Sequence, residues 1–299
     1  MTPRVLVTGA SGMIGRAVCM RMRRDGRGVI TAGRGRDDVA WSAGEPLSNA
    51  LDGVGAVVHL AACVHVRGKG YSDRETFEAV NTQATLQLAR EAAACGVRRF
   101  VFMSSIGVLG SVSGEPLVED ARPRPHTAYA HSKYLAECRL RELADIETVI
   151  LRPPAVIGPG ARGNLQSMIS AVRRRLPLPF AAIRNTRHFV ALENLVDAIM
   201  LALDHDKAAN ETFHVANAEA WSTPALCREI GSAIGAAPRL WPCPPSLLQG
   251  ALSLIGRRSL ADGLTRDLLV DTRKAQAVLG WRPRQSLRDA LQSAVEVKP

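Results

Sequence analysis

Aromatic side chains are scarce in this chain of 299 residues, since phenylalanine, tryptophan and tyrosine together make up only 4% of it. Proteins that bind single-stranded nucleic acid depend on aromatic rings that stack on the bases. The net charge is +10, but the arginines are scattered and only residues 173–175 form a run of three. We therefore expect no nucleic-acid partner. The charge is interpreted as attraction of anionic small molecules or as a solvated basic surface.

Closely spaced cysteine pairs, which zinc sites and redox motifs require, are also missing. The six cysteines, at positions 19, 63, 95, 138, 227 and 243, include no C-x-x-C pair, and most lie in apolar segments. They predict reduced core thiols in a cytoplasmic protein and no disulfide framework. No metal site is predicted, because no group of residues has the ligand spacing of one.

A hydrophobic run long enough to cross a membrane is absent as well. The apolar stretch 246–255 is too short to span a bilayer, and the N-terminus enters an apolar strand directly, so we expect neither a signal peptide nor a membrane partner. Hydrophobic residues make up 46% of the chain, which is enough for a sizeable core. The length suits one large α/β unit or a dinucleotide domain with a smaller appended domain.

Three glycines spaced three apart, at positions 9, 12 and 15, follow an apolar strand pattern at 5–7. They lead into a helical pattern at 13–22. Gly9 can form the turn, Gly12 lets the backbone approach a pyrophosphate, and Gly15 lets the helix pack against its strand. The N–H groups at the start of the helix attract the anion. This strand, turn and helix predict a dinucleotide-binding site.

A second short strand at 28–33 leads to Arg34 and Arg36. In a dinucleotide fold an acidic residue near this strand end binds the ribose 2′-hydroxyl, whereas an arginine accommodates a 2′-phosphate. Arg34 therefore favours NADP(H), and Asp37 and Asp38 leave NAD(H) as the alternative.

The first half of the chain alternates strands with helices, and the second half does so less regularly. Strands are predicted at 56–62, 100–103, 149–151 and 211–215, and helices at 75–94, 164–175, 192–204 and 223–234. This pattern predicts an α/β fold, a Rossmann-like doubly wound parallel sheet with a smaller C-terminal substrate-binding segment. We place the dinucleotide-binding domain at 1–157, with part of 188–216 returning to it, and the substrate segment mainly at 158–299.

Three residues have the chemistry needed for hydride transfer to or from a carbonyl. Ser105 follows a strand end, and Tyr129 and Lys133 lie one turn apart on a later helix. Tyr129 can exchange a proton with the oxygen, Lys133 is expected to lower the tyrosine pKa, and the Ser105 hydroxyl can polarise the carbonyl.

The chain resembles the extended short-chain dehydrogenase/reductase family across nearly its whole length. The motifs that carry the resemblance are TGASGMIG, HLAA, SSIGVLG, YAHSK and LRPPAVIGPG. It implies that Tyr129 is the acid/base, that Lys133 activates it and anchors the ribose, and that Ser105 binds the carbonyl, with Asn81 as a supporting polar residue. The cofactor-binding residues that it implies are Gly9, Ser11, Gly12, Met13, Ile14, Gly15, Arg34, Leu60, Ala61, Ala62, Ser104, Tyr129, Lys133 and Pro153.

The C-terminal segment resembles the members of this family that act on UDP-sugars. The resemblance implies that Asn164 contacts the nucleotide-sugar together with Ser105, and that Arg187 binds the diphosphate. A second diphosphate arginine is either Arg258 or Arg266. Family members pair through the helix that carries the tyrosine and lysine, so a homodimer is expected. Ala136, Leu140 and Leu143 belong either to that face or to the core.

The closest resemblance is to bacterial reductases that convert a UDP-4-keto-6-deoxy-N-acetylhexosamine to the 4-hydroxy sugar for surface polysaccharides. A UDP-hexose or UDP-N-acetylhexosamine 4-epimerase is the first alternative, although many epimerases carry a tyrosine where this chain has Leu109. A 3β-hydroxysteroid-type reductase is a second alternative, and a non-catalytic NADP-sensing regulator is a third. The presence of both Tyr129 and Lys133 favours an enzyme over the regulator.

Overall fold

The computed structural model describes residues 3–64, 73–161 and 163–296. The strands are β1 (Arg4–Thr8), β2 (Val29–Gly33), β3 (Val39–Ala40), β4 (Val54–His59), β5 (Arg99–Met103), β6 (Glu147–Arg152), β7 (Val156–Ile157), β8 (Pro177–Leu178), β9 (Arg187–His188), β10 (Val190–Ala191), β11 (Thr212–His214), β12 (Ala220–Trp221) and β13 (Arg239–Leu240). The helices are α1 (Met13–Arg24), α2 (Asp73–Glu78), α3 (Ala84–Ala94), α4 (Ala128–Arg141), α5 (Asn164–Arg173), α6 (Leu192–Asp204), α7 (Thr223–Ile234), α8 (Pro245–Leu254), α9 (Arg258–Thr265), α10 (Arg273–Leu279) and α11 (Leu287–Glu296).

Seven parallel strands form the central sheet, in the order β11-β6-β5-β4-β1-β2-β3. The strand order reverses direction between β1 and β4, which makes a crevice at the carboxyl ends of these two strands. The predicted α/β fold with a doubly wound parallel sheet is therefore confirmed. The predicted strand at 56–62 is wrong at its end, because β4 ends at His59 and Leu60, Ala61 and Ala62 form a loop.

Apolar side chains on both faces of the sheet form its core, as expected for parallel strands covered by helices. Val101 packs with α1 and α6 on one face, and its neighbours Phe100 and Phe102 pack with α3 and α4 on the other. Ala136 and Leu140 lie in this second cluster, with Leu143 packed against it. Of the two placements predicted for these three residues, the structure therefore supports the core.

A third apolar cluster holds the C-terminal part of the chain. It joins Ile169 of α5, Ile230 of α7 and Leu291 of α11. Three two-stranded sheets accompany it, β10-β7, β12-β9 and β13-β8. Meanwhile α6 and β11 pack with the central sheet. The domain division at residue 157 stays a prediction.

The cysteines differ in burial more than their apolar surroundings predict. All six are thiols, but only Cys19 and Cys227 are buried, and Cys95 is exposed. The prediction of core thiols is therefore wrong for the other four, because an apolar sequence neighbourhood does not specify which way a side chain points. Among the residues described, no helix is long and apolar enough to cross a membrane, and none of the histidine, cysteine and carboxylate groups forms a metal cluster.

Candidate active site

The glycine motif forms a tight cradle at the carboxyl end of β1. Gly9 has a φ of +69°, and a Cβ atom there would lie 2.7 Å from the backbone nitrogen of Ala61. A Cβ on Gly15 would overlap the carbonyl oxygen of Gly9. Gly12 caps α1 without a side-chain hydrogen bond, which leaves the first N–H groups of the helix for an anion. The backbone alone therefore forms the turn and presents N–H donors of the kind that bind a pyrophosphate.

The residues predicted to surround this cradle lie near it. Met13 and Ile14 occupy the first turn of α1 and pack partly against the core, whereas Ser11 is exposed. The loop after β4 lies across from the glycine turn, because Ala61 N donates to Thr8 Oγ1 at 3.3 Å and Leu60 N donates to Thr8 O at 3.3 Å. Ala62 follows in the same half-buried loop.

At the end of β2 an arginine and two aspartates adjoin the crevice. Arg34 is exposed and makes no hydrogen bond or ion pair with the residues that the structure describes. The Asp37 carboxylate lies against Gly33, where a Cβ atom would overlap it. Asp38 accepts hydrogen bonds from Thr31 N at 2.8 Å and Thr31 Oγ1 at 2.9 Å, which lower the pKa of its carboxyl group. Arg34 and Asp37 are thus the groups available to a ribose or its phosphate.

The three candidate catalytic residues lie on two elements that pack together, the end of β5 and the first half of α4. The Ser105 hydroxyl oxygen accepts from Gly107 N at 3.1 Å and caps a short 3₁₀ turn, Ile106–Val108. Tyr129 packs its ring edge-on against Phe77, with 6.2 Å between the ring centroids. Lys133 is only 1% exposed, and its Nζ donates to Met103 O at 2.8 Å. Pro153 is buried just after β6, and its carbonyl oxygen accepts from Ile106 N at 3.0 Å.

The pKa values of Tyr129 and Lys133 are both shifted mainly by burial. Burial raises the pKa of Tyr129 to about 12. Burial lowers the pKa of Lys133 to about 7, and the nearby Glu137 carboxylate opposes that change. Burial is the cause of the raised Tyr129 pKa, and the Lys133 side chain is bound to the Met103 carbonyl. The lowering of the tyrosine pKa by Lys133 stays a prediction.

Glu137, which sequence reasoning missed, is completely buried and joins three segments of the site. Its carboxylate accepts from Ser104 Oγ at 2.5 Å and from Arg152 at 2.9 and 2.6 Å. Arg141 adds a fourth contact at 3.1 Å. These bonds tie the ends of β5 and β6 to α4. The sequence signal was present, because Tyr129, Lys133 and Glu137 follow one another at four-residue spacing along one helix face.

Asn81 connects the loop after β4 to the catalytic helix. It lies fully buried in a π-helical turn, Ala79–Gln83, between α2 and α3. Its side chain accepts from Cys63 N at 2.8 Å and donates to Cys63 O at 2.9 Å and to Ser132 Oγ at 3.0 Å. A supporting role for Asn81 fits these contacts.

An open cleft of about 650 Å³ is lined by Val112, in the loop that follows Ser105, and by residues of the C-terminal part of the chain. Arg184 and Arg266 also line it. Arg187 adjoins it, since its Nη1 donates to Arg266 O at 2.8 Å and to Ser111 O at 3.3 Å, and burial lowers its pKa to about 10. Asp267 lines the cleft as well, and Arg266 pairs with Asp262 at 3.4 Å, so the cleft carries both cationic and anionic groups.

Of the other residues predicted to bind substrate, Asn164 is the exposed first residue of α5. Arg258 is exposed at the start of α9 and does not line the cleft. Of the two arginines left open as the second diphosphate ligand, Arg266 is thus the one beside Arg187.

Comparisons with known proteins agree with this fold. Residues 5–216 match the model of the NAD dependent epimerase/dehydratase family. The chain is 32% identical over 317 aligned positions to a UDP-glucose 4-epimerase of Vibrio cholerae, covering 99% of this chain and 95% of the relative. It is 30% identical over 327 positions to a UDP-glucose 4-epimerase of Mycolicibacterium smegmatis, covering 98% and 97%.

Among solved structures, MoeE5 in complex with UDP-glucose and NAD superposes with a TM-score of 0.80 at 26% identity, covering 98% of this chain and 97% of that one. The family match covers well over half of the sequence, and the relatives match along its whole length. The chain belongs to the NAD-dependent epimerase/dehydratase family of extended short-chain dehydrogenases/reductases.

Proposed function

We propose that the protein transfers a hydride between a nicotinamide dinucleotide and C4 of the sugar in a UDP-sugar. The observation that carries this proposal is the packing of α4, with Tyr129 and Lys133, against the end of β5, which Ser105 follows, in a sheet whose strand β1 ends in the glycine turn. Relatives named UDP-glucose 4-epimerase, and a structural neighbour that binds UDP-glucose and NAD, support the substrate class.

The turn suits a dinucleotide, because glycine at positions 9 and 15 lets the backbone of the turn pack closely on Ala61 and on α1, and the first N–H groups of α1 have no side-chain cap. When bound, the nicotinamide supplies or accepts the hydride. The Tyr129 hydroxyl holds the proton that the sugar oxygen gains or loses, and the Ser105 hydroxyl donates a hydrogen bond to that oxygen. The Lys133 ammonium, one helical turn from Tyr129, favours the ionised tyrosine and so opposes the effect of burial on the Tyr129 pKa. Arg187 and Arg266 bind the diphosphate, and Asn164 contacts the nucleotide-sugar.

The direction that we propose is reduction of a UDP-4-keto-6-deoxy-N-acetylhexosamine, a step toward surface polysaccharide precursors. Leu109, where many epimerases carry a tyrosine, is 3% exposed and offers no hydroxyl to the site. A reductase must also release its cofactor after each turnover, and Arg34 at an open strand end suits an exchangeable NADP(H). The second candidate is a UDP-sugar 4-epimerase, which the relatives of 32% and 30% identity favour.

The two candidates differ in net consumption of cofactor. With purified protein and UDP-4-keto-6-deoxy-N-acetylglucosamine, a reductase oxidises one NADPH for each product molecule, measured by the absorbance of the reduced nicotinamide. An epimerase instead interconverts UDP-N-acetylglucosamine and UDP-N-acetylgalactosamine without net cofactor change. If neither conversion occurs, C4 chemistry on these UDP-sugars is excluded.

For the cofactor we propose a preference for NADP(H), carried by Arg34. Asp37 opposes it, because its carboxylate beside Gly33 can bind the ribose hydroxyls of NAD(H) and repel a 2′-phosphate. Arg34→Ala should raise the KM for NADPH and leave that for NADH nearly unchanged, whereas Asp37→Ala should do the opposite. If Arg34→Ala has no effect on the NADPH-to-NADH ratio of kcat/KM, the preference does not come from this residue.

A steroid reductase and a regulatory protein are less well supported. A steroid substrate offers no anionic group to Arg184 and Arg266 in the cleft, and a purely regulatory protein has no need of the catalytic groups. We further propose that the protein is a cytoplasmic homodimer. Because Ala136 and Leu140 face the core, an interface through α4 would use its half-buried outward residues Tyr134 and Cys138.

A further inference from the structure

Helix α8 carries an apolar stripe on the side that faces solvent. Leu247, Gly250, Ala251 and Leu254 follow the i, i+3, i+4, i+7 pattern of a single helix face, and all four are exposed. Leu247 is 65% exposed and Leu254 is 89% exposed. A surface helix ordinarily carries charged or polar residues at these positions.

The opposite side of α8 accounts for its attachment to the protein. Leu248 packs against the third apolar cluster, and Gln249 Nε2 donates to Thr265 Oγ1 at 2.8 Å. The outward stripe is thus not needed for the fold. No residue of α8 is charged, so nothing on the helix interrupts its apolar surface.

Cationic and apolar residues extend this surface beyond the end of the helix. Ile255, which follows α8, is 65% exposed. Arg257 and Arg258 come next, are exposed, and form no ion pair with the residues that the structure describes. Between Glu229 and Asp262 the chain has three arginines and no carboxylate. A partner that complements this surface must therefore offer an apolar layer bordered by negative charge.

We propose that the outward face of α8, together with Arg257 and Arg258, docks the protein peripherally on an anionic lipid bilayer. Such a helix lies in the plane of the interface, with its apolar face among the acyl chains and its cations near the headgroups. This proposal departs from the sequence prediction, which expected no membrane partner because the same segment is too short to span a bilayer. A helix that lies on the membrane surface does not need the length that spans a bilayer.

A second copy of the chain fits the surface less well. A helix of ten residues is only about 15 Å long, whereas a stable protein interface buries roughly 800 Å² on each partner. A bilayer needs no larger area and supplies the opposite charge.

The test uses the whole chain and sedimentation with lipid vesicles. We expect the protein to sediment with vesicles of phosphatidylcholine and phosphatidylglycerol, and much less with phosphatidylcholine alone. The double variant Leu247→Gln/Leu254→Gln should weaken binding at least about tenfold, and Arg257→Ser/Arg258→Ser should abolish the preference for anionic vesicles. Met20→Gln is the matched control, because Met20 is also 65% exposed but lies on α1.

Three results would overturn the proposal. The first is no sedimentation of the unmodified protein with anionic vesicles, and the second is unchanged binding by the α8 double variant. The third is self-association in sedimentation velocity that the double variant abolishes, which would assign the stripe to a second copy. Because Leu247 and Leu254 lie outside the catalytic and binding residues, the α8 double variant should keep the enzymatic activity in solution.

Discussion

The catalytic centre and the substrate cleft are built in opposite ways. Lys133, Glu137 and Arg152 are each no more than 2% exposed and satisfy one another or the backbone through short hydrogen bonds. Arg184 and Arg266, which line the cleft, are exposed. The catalytic groups are thus held in place before any ligand binds, whereas the cleft presents side chains that a ligand must order.

This difference separates the effects expected of substitutions. Removing a member of the buried network leaves a charge without its partner, so the free energy of unfolding should change along with kcat. Removing a cleft arginine leaves the fold intact, so the change should lie mainly in the KM for the nucleotide-sugar.

The largest effect is expected for Tyr129→Phe. The variant keeps the ring that packs against Phe77 and loses only the hydroxyl that exchanges the proton. Turnover should fall by roughly 10²- to 10⁴-fold, measured by steady-state kinetics, with an unchanged melting temperature as the control for folding. Turnover close to that of the unmodified protein would remove Tyr129 from the mechanism.

Glu137→Gln should show the largest loss of stability. It leaves the buried Arg152 guanidinium without its carboxylate, which costs about 3–5 kcal/mol of the free energy of unfolding. Urea unfolding measures this value. Glu142→Gln is the control, because its pair with Arg139 is exposed and should contribute little. If Glu137→Gln and Glu142→Gln had equal urea midpoints, the buried contacts of Glu137 would not stabilise the protein.

Arg266→Ala should raise the KM for the UDP-sugar by about 10- to 100-fold, the equivalent of one hydrogen bond to a charged group. The matched variant Arg258→Ala should leave KM unchanged, since Arg258 does not line the cleft. Both arginines are exposed, so neither variant should unfold. A raised KM for Arg258→Ala with an unchanged KM for Arg266→Ala would assign the diphosphate contact to Arg258.

A smaller effect is expected in the pH dependence of stability. The pKa of Lys133 is about 7 when folded and 10.5 ordinarily, so between these values the unfolded chain binds more protons than the folded one. The contribution of Lys133 should therefore make the free energy of unfolding rise with pH between about 7 and 10.5. Above about pH 10 the raised pKa of Tyr129 acts in the opposite direction. Lys133→Met should flatten the rise, measured by melting temperature against pH, and an unchanged slope would contradict the burial of a titrating lysine.

Local patterns were enough to predict much of the fold. The helices Leu192–Asp204 and Thr223–Ile234 have the predicted bounds, because their apolar periodicity is clear and Ser222 caps the second of them. The strand predicted at 56–62 extended too far, since Leu60, Ala61 and Ala62 are as apolar as the strand itself. Hydrophobicity alone does not show where the pairing of strands ends.

The site was predictable in its members and not in their contacts. Glycine spacing and the interval between Tyr129 and Lys133 identify local geometry, which the sequence carries directly. The bond from Lys133 to the Met103 carbonyl and the buried position of Glu137 depend on how α4 packs against β5. The choice between Arg258 and Arg266 likewise depends on the tertiary fold, which places only Arg266 beside Arg187.

The π-helical turn at Ala79–Gln83 makes this stretch a point where the chain can tolerate a change in length. A π turn amounts to one residue inserted into an α-helix. Deleting one residue there would merge α2 and α3 into a regular helix without rotating the face that α3 presents to the core. The protein would then keep its fold and lose the placement of Asn81, so the loop after β4 would no longer be fastened to the catalytic helix. A single codon deletion could thus separate folding from cofactor-site assembly.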